Sequence, residues 1–446
     1  MMAAWTRRRG WLLLGAYCMA CSPLLAETGA TGKNSPSQLA NELLVGDKPP
    51  AVGRWVVTQT QGKLDTSISR WGAEAGTSLS QVVRVEDAAL LWTGLLSPRE
   101  ASGQLLNPGD PIGQTRAILR QLRWLLEAAG GSLDQLLRLN VYAASPDVIP
   151  LVQVELSRSL SAHPPVATFV AGHLPGEGIL VTMDAVAASA RNEGQLLPVG
   201  HPEVYSPPKQ TSAMLLPAGE VLFLAGAVGQ SDLSLADAIA NGLHKQIELA
   251  TKLGSSADRI VQIRAFADLT SPPDLFYEQV RKVFADQPYL PAVVVAPWGR
   301  SGAPEIEVIA AGRPGFPIEP GWIEYHEPTG KVFSRATRLN SRSLLFFAGM
   351  VSSQPGDAEI QARNIFEQLE YWLEQSGSDF RHLAKATYWL ADRPATEALR
   401  KLRLQKYDPS RPPAASGFLA ENIGYEGRCL NLDWIAIPSI GKGLAR

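Results

Sequence analysis

The stretch RPPAASGFLA, residues 411–420, places a proline pair before small residues at the start of an expected strand, and the chain writes that phrase three times. HPPVATFVAG begins at His163 and YLPAVVVAPW at Tyr289. Other landmarks recur in the same order around each copy. LEAAGGSLDQLLRLNVYAASPD, LATKLGSSADRIVQIRAFADLTSPPD and LEQSGSDFRHLAKATYWLADRP end a helix at Gly130, Gly254 and Gly377, spaced by about 124 residues. LVTMDAVA, PEIEVIA and LNLDWIA follow the proline phrase and carry Asp184, Glu307 and Asp433 at the same interval. LLWTG, LFLAG and LFFAG precede the helix and end at Gly94, Gly226 and Gly349. Self-similarity at a fixed period marks a repeat architecture, because each period is one supersecondary unit.

The helices are legible from spacing. Ile118, Leu119, Leu122, Leu125 and Leu126 form one apolar stripe, and Ile365, Phe366, Leu369, Trp372 and Leu373 repeat it in the third copy. The second copy keeps only Leu243, Leu249 and Ala250 in register. Each terminal glycine supplies the left-handed residue that ends a helix without a Cβ clash. An alternating run such as Leu137, Leu139, Val141 and Ala143 then predicts a strand, followed by a second amphipathic helix and two closing strands. With a hairpin in front, each copy is an α+β unit with both helices on one face of a mixed sheet.

The 446 residues suit about three domains, and 45% hydrophobic with 19% charged residues is ordinary globular composition. Arg7–Arg9 followed by the apolar run Trp11–Ala20 and small residues to Ala26 has the layout of an export signal with a twin-arginine flavour, too short for a spanning anchor. A periplasmic or otherwise extracytoplasmic location is expected, with lipid attachment at Cys21 the less favoured variant. The expected organisation is a signal peptide over 1–26, a leader with room for an extra strand over 27–75, and domains over 76–190, 205–312 and 322–438. With 41 basic and 43 acidic residues there is no basic surplus for nucleic acid. Export would leave Cys429 alone, so no internal disulfide is expected. No phosphate loop, dinucleotide fingerprint, nucleophile elbow or metal-ligand spacing occurs, and no cofactor or metal is expected.

This order of landmarks resembles the RidA/YjgF family of reactive intermediate deaminases. The likeness runs from about Gly76 to Pro438 and rests on Ser80-Gln81, Phe333-Ser334, the strand ends at Gly94, Gly226 and Gly349, the EAAG turn, the proline phrase, HLP at His173–Pro175 and the closing acidic motif. The resemblance implies chorismate-mutase-like domains, trimeric assembly around a central barrel and ligand clefts between neighbours. Three copies in one chain then imply an intramolecular pseudotrimer, monomeric as a chain.

In active members the proline phrase carries an arginine that grips the substrate carboxylate with a forked pair of hydrogen bonds, which no apolar side chain can replace. Counted from the landmarks, that slot holds Val166, Val293 and Ala415. A second slot, an acid that orients water, holds Thr182, Glu305 and Asn431, and the family serine before the strand-end glycine becomes Thr93, Ala225 and Ala348. Glu305 is the one match to a catalytic slot, although an isolated charge on a strand usually faces water, and that solvated reading is preferred. The recurrence of Asp184, Glu307 and Asp433 favours a structural role. Arg411, Arg300 and His163 stand near the vacant slots as weak substitutes for the arginine, and His173 and His382 read as surface or helix-edge residues. The favoured reading is an exported, degenerate pseudotrimer whose interdomain clefts bind a small, less acidic metabolite. The alternatives are a hydrolase of an enamine, imine or related C–N bond using Glu305, and a scaffold with filled clefts.

Overall fold

The computed structural model describes residues 58–61, 67–73, 79–189, 194–207, 210–267, 273–297, 302–313 and 322–439, all within the compact unit Pro36–Arg446. Residues 1–26, where an export signal is expected, with Cys21, most of the expected leader 27–75, and Arg300 lie outside the described residues.

Each repeat contributes two helices and a run of strands. Repeat 1 holds β3 (Val82–Glu86), β4 (Ala89–Thr93), α1 (Pro111–Ala128), β5 (Leu136–Ala143), α2 (Val148–Ser159), β6 (Val166–Ala171) and β7 (Val181–Ser189). Two short strands precede them, β1 (Thr58–Gln61) and β2 (Ser67–Trp71). Repeat 2 holds β8 (Leu197–Val199), β9 (Ala213–Leu216), β10 (Glu220–Val228), α3 (Leu235–Lys252), β11 (Ile260–Ala267), α4 (Asp274–Val283), β12 (Ala292–Pro297) and β13 (Glu305–Ala311). Repeat 3 holds β14 (Trp322–Thr329), β15 (Phe333–Asn340), β16 (Ser343–Phe347), α5 (Ala358–Gln375), β17 (Leu383–Leu390), α6 (Arg393–Lys406), β18 (Ala414–Leu419) and β19 (Leu430–Ala436). Asp110, Ser234 and Asp357 cap α1, α3 and α5 by accepting first-turn backbone N–H groups. Gly130, Gly254 and Gly377, at φ of 78°, 84° and 77°, stop them.

The opening strands depart from a simple front hairpin. β3 and β4 are joined by Asp87 and Ala88 alone, yet they do not pair with each other. β3 pairs with β16 of repeat 3, β9 with β4 of repeat 1, and β15 with β10 of repeat 2. Every repeat therefore lends its opening strand to another repeat's sheet. The physical reason is alternation carried straight through the corner: Val83 and Val85 continue into Leu90 and Trp92 on one apolar face, and that face is long enough to span two sheets.

The resulting sheets run β9-β4-β7-β5-β6, β15-β10-β13-β11-β12 and β3-β16-β19-β17-β18. Parallel bridges Ser80↔Val166, Thr211↔Ala292 and Ser334↔Ala414 join them edge to edge, so the three sheets close into a ring. Ser80 and Ser334 reinforce two of these seams by donating to the carbonyls of Pro164 and Pro412. The recurring proline phrase is thus a seam. It opens an edge strand where missing N–H groups cost nothing, and its carbonyls receive the next strand. Helices cover the outer faces, and a separate apolar cluster fills each sheet–helix layer. The chain is accordingly an α+β pseudotrimer made of three tandem domains.

Inside the ring, an apolar layer containing Trp92, Phe223 and Phe346 and a second containing Tyr142, Phe266, Trp389 and Phe418 enclose a belt of charge. Arg138 of repeat 1 meets Asp433 of repeat 3 at 2.5 Å, Lys385 of repeat 3 meets Glu307 of repeat 2 at 2.6 Å, and Arg264 of repeat 2 meets Asp184 of repeat 1 at 2.7 Å. All six side chains are at most 8% exposed. The cations are not equivalent. Arg138, Gln262 and Lys385 share one register position, opposite Val186, Ile309 and Ile435. Where that position is the neutral Gln262, whose amide turns to the Thr93 carbonyl, the cation has moved two residues along the same strand face to Arg264. Desolvation lowers the Lys385 ammonium from its ordinary range despite the opposing pull of Glu307. Paired ions so buried add little net stability, because desolvation offsets the attraction, but each charge demands its partner from another repeat.

Candidate functional site

Three equivalent clefts lie at the seams, each formed by the strand end and acid slot of one repeat and the proline phrase of another. The parallel registers fix the correspondence: Arg138↔Val166, Gln262↔Ala292 and Lys385↔Ala414 are the same rung. The residue matching Val293 and Ala415 is therefore Ala167, and Val166 is one residue out. A one-residue slip turns a strand side chain to the opposite face. Val166 accordingly lines the ring interior, whereas Ala167, Val293 and Ala415 belong to the sheet–helix layers.

A second correction concerns Thr93. Trp92, Phe223 and Phe346 share a rung opposite Val186, Ile309 and Ile435. Gly94 therefore corresponds to Ala225 and Ala348, and Leu95 to Gly226 and Gly349. The seam bonds agree: Leu95 N donates to the Val293 carbonyl as Gly349 N donates to that of Ala167. Thr93 sits on the other face, where its hydroxyl accepts the Ala185 N–H at 2.9 Å. No repeat has a hydroxyl in that slot.

The acid slot is in register throughout, with Thr182, Glu305 and Asn431 opposite Tyr142, Phe266 and Trp389. The three clefts built on it differ. In the cleft between repeats 1 and 2, Leu95 occupies the strand end and Thr182 is 1% exposed. Gly94, Leu95, Tyr205, Tyr277 and Val293 leave a cavity of about 10 Å³, room for about one water. In the cleft between repeats 3 and 1, Asn431 is fully buried, and its amide reaches across to the Phe169 carbonyl at 2.7 Å. Thr168 closes the same space, 2% exposed, with its hydroxyl turned to Asp433.

The cleft between repeats 2 and 3 is lined by less deeply buried residues. Gly226 N donates to Ser416 Oγ at 2.8 Å, in place of the main-chain seam bond of the other two. A register shift between Leu224 and Ala227 marks a bulge beside it, the device by which strands re-aim side chains at sites. Gly226, Glu305 and Arg335 are half-buried, and Val228 and Gly417 are exposed. The Glu305 carboxylate lies against Gly226, where a Cβ would collide with it, so this glycine is required for space. The preferred reading of a solvated glutamate fails here, because the shifted strand end leaves a hollow that the side chain fills. Burial, and secondarily Glu307, push its carboxyl up to about 8 against the pull of Lys385 and Arg335.

The remaining sequence candidates lie elsewhere. Arg411 stacks over the Tyr325 ring at 5.5 Å, and His163 Nδ1 lies 3.1 Å from Asp134. His382 pairs with Asp379, and the exposed His173 uses its backbone N–H on Glu421. Sequence reasoning missed Arg335; lining up Ser334 with Ser80 would have exposed it as a cation where repeat 1 has Gln81.

Residues 71–189 match the family model described as Endoribonuclease L-PSP. Among solved structures, a YjgF-family protein from Neisseria meningitidis is 23% identical over 27% of this chain and 98% of its own, with a TM-score of 0.21. A Rid-family protein of unknown function from Yersinia pestis is 19% identical over 30% of this chain and 98% of its own, at 0.25. A YjgF/YER057c/UK114 protein from Mycobacterium tuberculosis is 19% identical over 21% of this chain and 78% of its own, at 0.20. No protein of curated function matches the sequence. The family match thus falls on the first repeat, residues 71–189, and the same landmarks are written twice more downstream.

Proposed function

We propose that the chain handles a small molecule in one of its three clefts, that between repeats 2 and 3, and that Glu305 exchanges a proton with it during hydrolysis of an imine or enamine. The observation that carries this reading is the half-buried Glu305 beside Gly226, in a cleft whose two counterparts are closed by Thr182 and Asn431. A carboxyl with a pKa near 8 is mostly protonated at neutral pH and is poised as an acid. It would give its proton to the imine nitrogen, or to the enamine carbon that yields the iminium. The carboxylate so formed would take a proton from the water that attacks carbon. The carbon–oxygen bond forms and the carbon–nitrogen bond breaks, so that one imine and one water give one carbonyl product and one ammonia.

Turnover of 2-iminobutanoate generated in situ, compared in the wild type and Glu305→Gln, tests it. Loss of at least 100-fold in kcat is expected, on the order of a missing general acid–base group. Equal rates would sink the catalytic role. A second reading, a binding module without turnover, is favoured by Ala167, Val293 and Ala415, none of which carries charge into its cleft. We also propose export directed by the first 26 residues; cell fractionation and the N-terminal mass of the mature chain test that.

A further inference from the structure

We propose that one mouth of the central ring, on the axis the three repeats share, is a binding site separate from the clefts and takes a small, neutral, hydrophobic molecule. Three corners meet there, and each turns over four residues between two aliphatic side chains: Val85 to Leu90, Leu216 to Val221 and Leu339 to Leu344. The registers between repeats set these six directly opposite one another, Val85 with Leu344, Leu90 with Leu216 and Val221 with Leu339. Every pair therefore joins two repeats, and together the pairs wall a cavity of about 490 Å³.

The cavity arises because side-chain size changes between two rungs of the same strands. Two residues deeper stand Trp92, Phe223 and Phe346, and the Trp92 ring lies 6.4 Å from each of the other two, which closes the axis. Leu90, Val221 and Leu344 are too short to meet across the same width, so the well is blind and has an aromatic floor. Water in such a well has few polar partners, and its release drives the entry of an apolar molecule. Barrel mouths are among the places where ligand pockets of this size occur. The rim argues for a ligand without charge. Asp87 and Arg342 pair with each other at 2.5 Å, and the Asp87 N–H donates to the Arg342 carbonyl, tying the corner of repeat 1 to that of repeat 3. The Ser341 hydroxyl turns to the Ser343 carbonyl. An ion would find no surplus of either sign there. The third corner brings Ala218 and Gly219, and a Cβ at Gly219 would meet nothing within 4 Å, so open space lies over that side.

Fluorescence titration of the full chain with N-phenyl-1-naphthylamine, a neutral probe that brightens on leaving water, tests the assignment. Saturable binding of one probe per chain is expected, displaced by millimolar 1-octanol and not by glycerol. Ala218→Trp sets an indole in the mouth and should weaken the probe by about tenfold or more. Ala218 is exposed, so this variant should melt as the wild type does. Ala88→Phe fills the same cavity from the corner of repeat 1 and should act alike, which keeps the test decisive if one variant folds poorly. Leu404→Trp, at an exposed position of α6, should leave the affinity unchanged and so separates the cavity from adsorption to apolar surface. Equal affinity of the wild type and both filling variants, an equal loss on Leu404→Trp, or no saturable binding overturns the site. A particle of two chains that Ala218→Trp splits would make a second copy the occupant, and overturns it as well.

Discussion

The cleft between repeats 2 and 3 and the cleft between repeats 3 and 1 use equivalent strands in the same register, yet one holds a half-buried acid and a cation and the other is closed. Glu305 stands where Asn431 stands, Arg335 where Gln81 stands, and Ser416 where Thr168 stands. Gly226 bonds to a hydroxyl, and Gly349 to a main-chain carbonyl. The difference teaches that the ring supplies three potential sites at no structural cost, and that a few side chains decide which becomes a pocket and which a weld.

Moving the acid into the wrong cleft should produce the largest effect. Asn431→Asp buries a carboxylate against the Phe169 carbonyl, two residues along the strand from Asp433, and should destabilise the fold by about 3–5 kcal/mol in denaturant melts. A smaller loss would show that this cleft is wetter than its Asn431 suggests. Glu305→Gln should have the opposite sign. The folded pKa is raised above the unfolded value, so the wild type loses stability as pH rises from about 4.5 to about 8, and the amide escapes that loss. Its melting temperature should match wild type near pH 4 and exceed it at pH 9; a gap of constant size would refute the raised pKa.

Glycine substitutions sharpen the comparison further. At Gly349 a methyl would meet the Thr168 backbone at 2.9 Å, and Gly349→Ala should cost about 1–3 kcal/mol as an overpacked core does. At Gly226 the atoms a methyl meets first all belong to the Glu305 side chain, which can swing away. Gly226→Ala should therefore keep stability within about 1 kcal/mol while abolishing the Glu305-dependent rate. The smallest effect is expected from Ser416→Ala, which removes one hydrogen bond worth about 1 kcal/mol. Native mass spectrometry should find one chain per particle, with every interrepeat partner supplied internally.

Much of the fold was legible because repetition is visible without coordinates. The helix stripes, their terminal glycines and the strand after each fell where spacing put them. The exchange of opening strands was not, since Val82–Trp92 reads equally as a hairpin or as two strands in different sheets. The sites were read one residue out at Val166 and Thr93 because counting from landmarks passes silently over bulges, and a strand that is apolar on both faces offers no alternation to correct it. Arg335 escaped because it belongs to one repeat in sequence and to another repeat's cleft in space.

The borrowing of β3 by repeat 3 also imposes an order in time. Arg84 and Ser343, whose side chains meet across the β3–β16 pair, are 259 positions apart, so at about 5–20 residues per second the ribosome takes roughly ten seconds to a minute to deliver the second after the first. For that interval the nascent chain carries a valine-rich edge with nothing to dock on, and the last repeat to be made must fold around the earliest strand of the barrel. A holding factor on the emerging polypeptide would find its binding target there, and truncations from the C-terminus should yield insoluble product until β16 is restored.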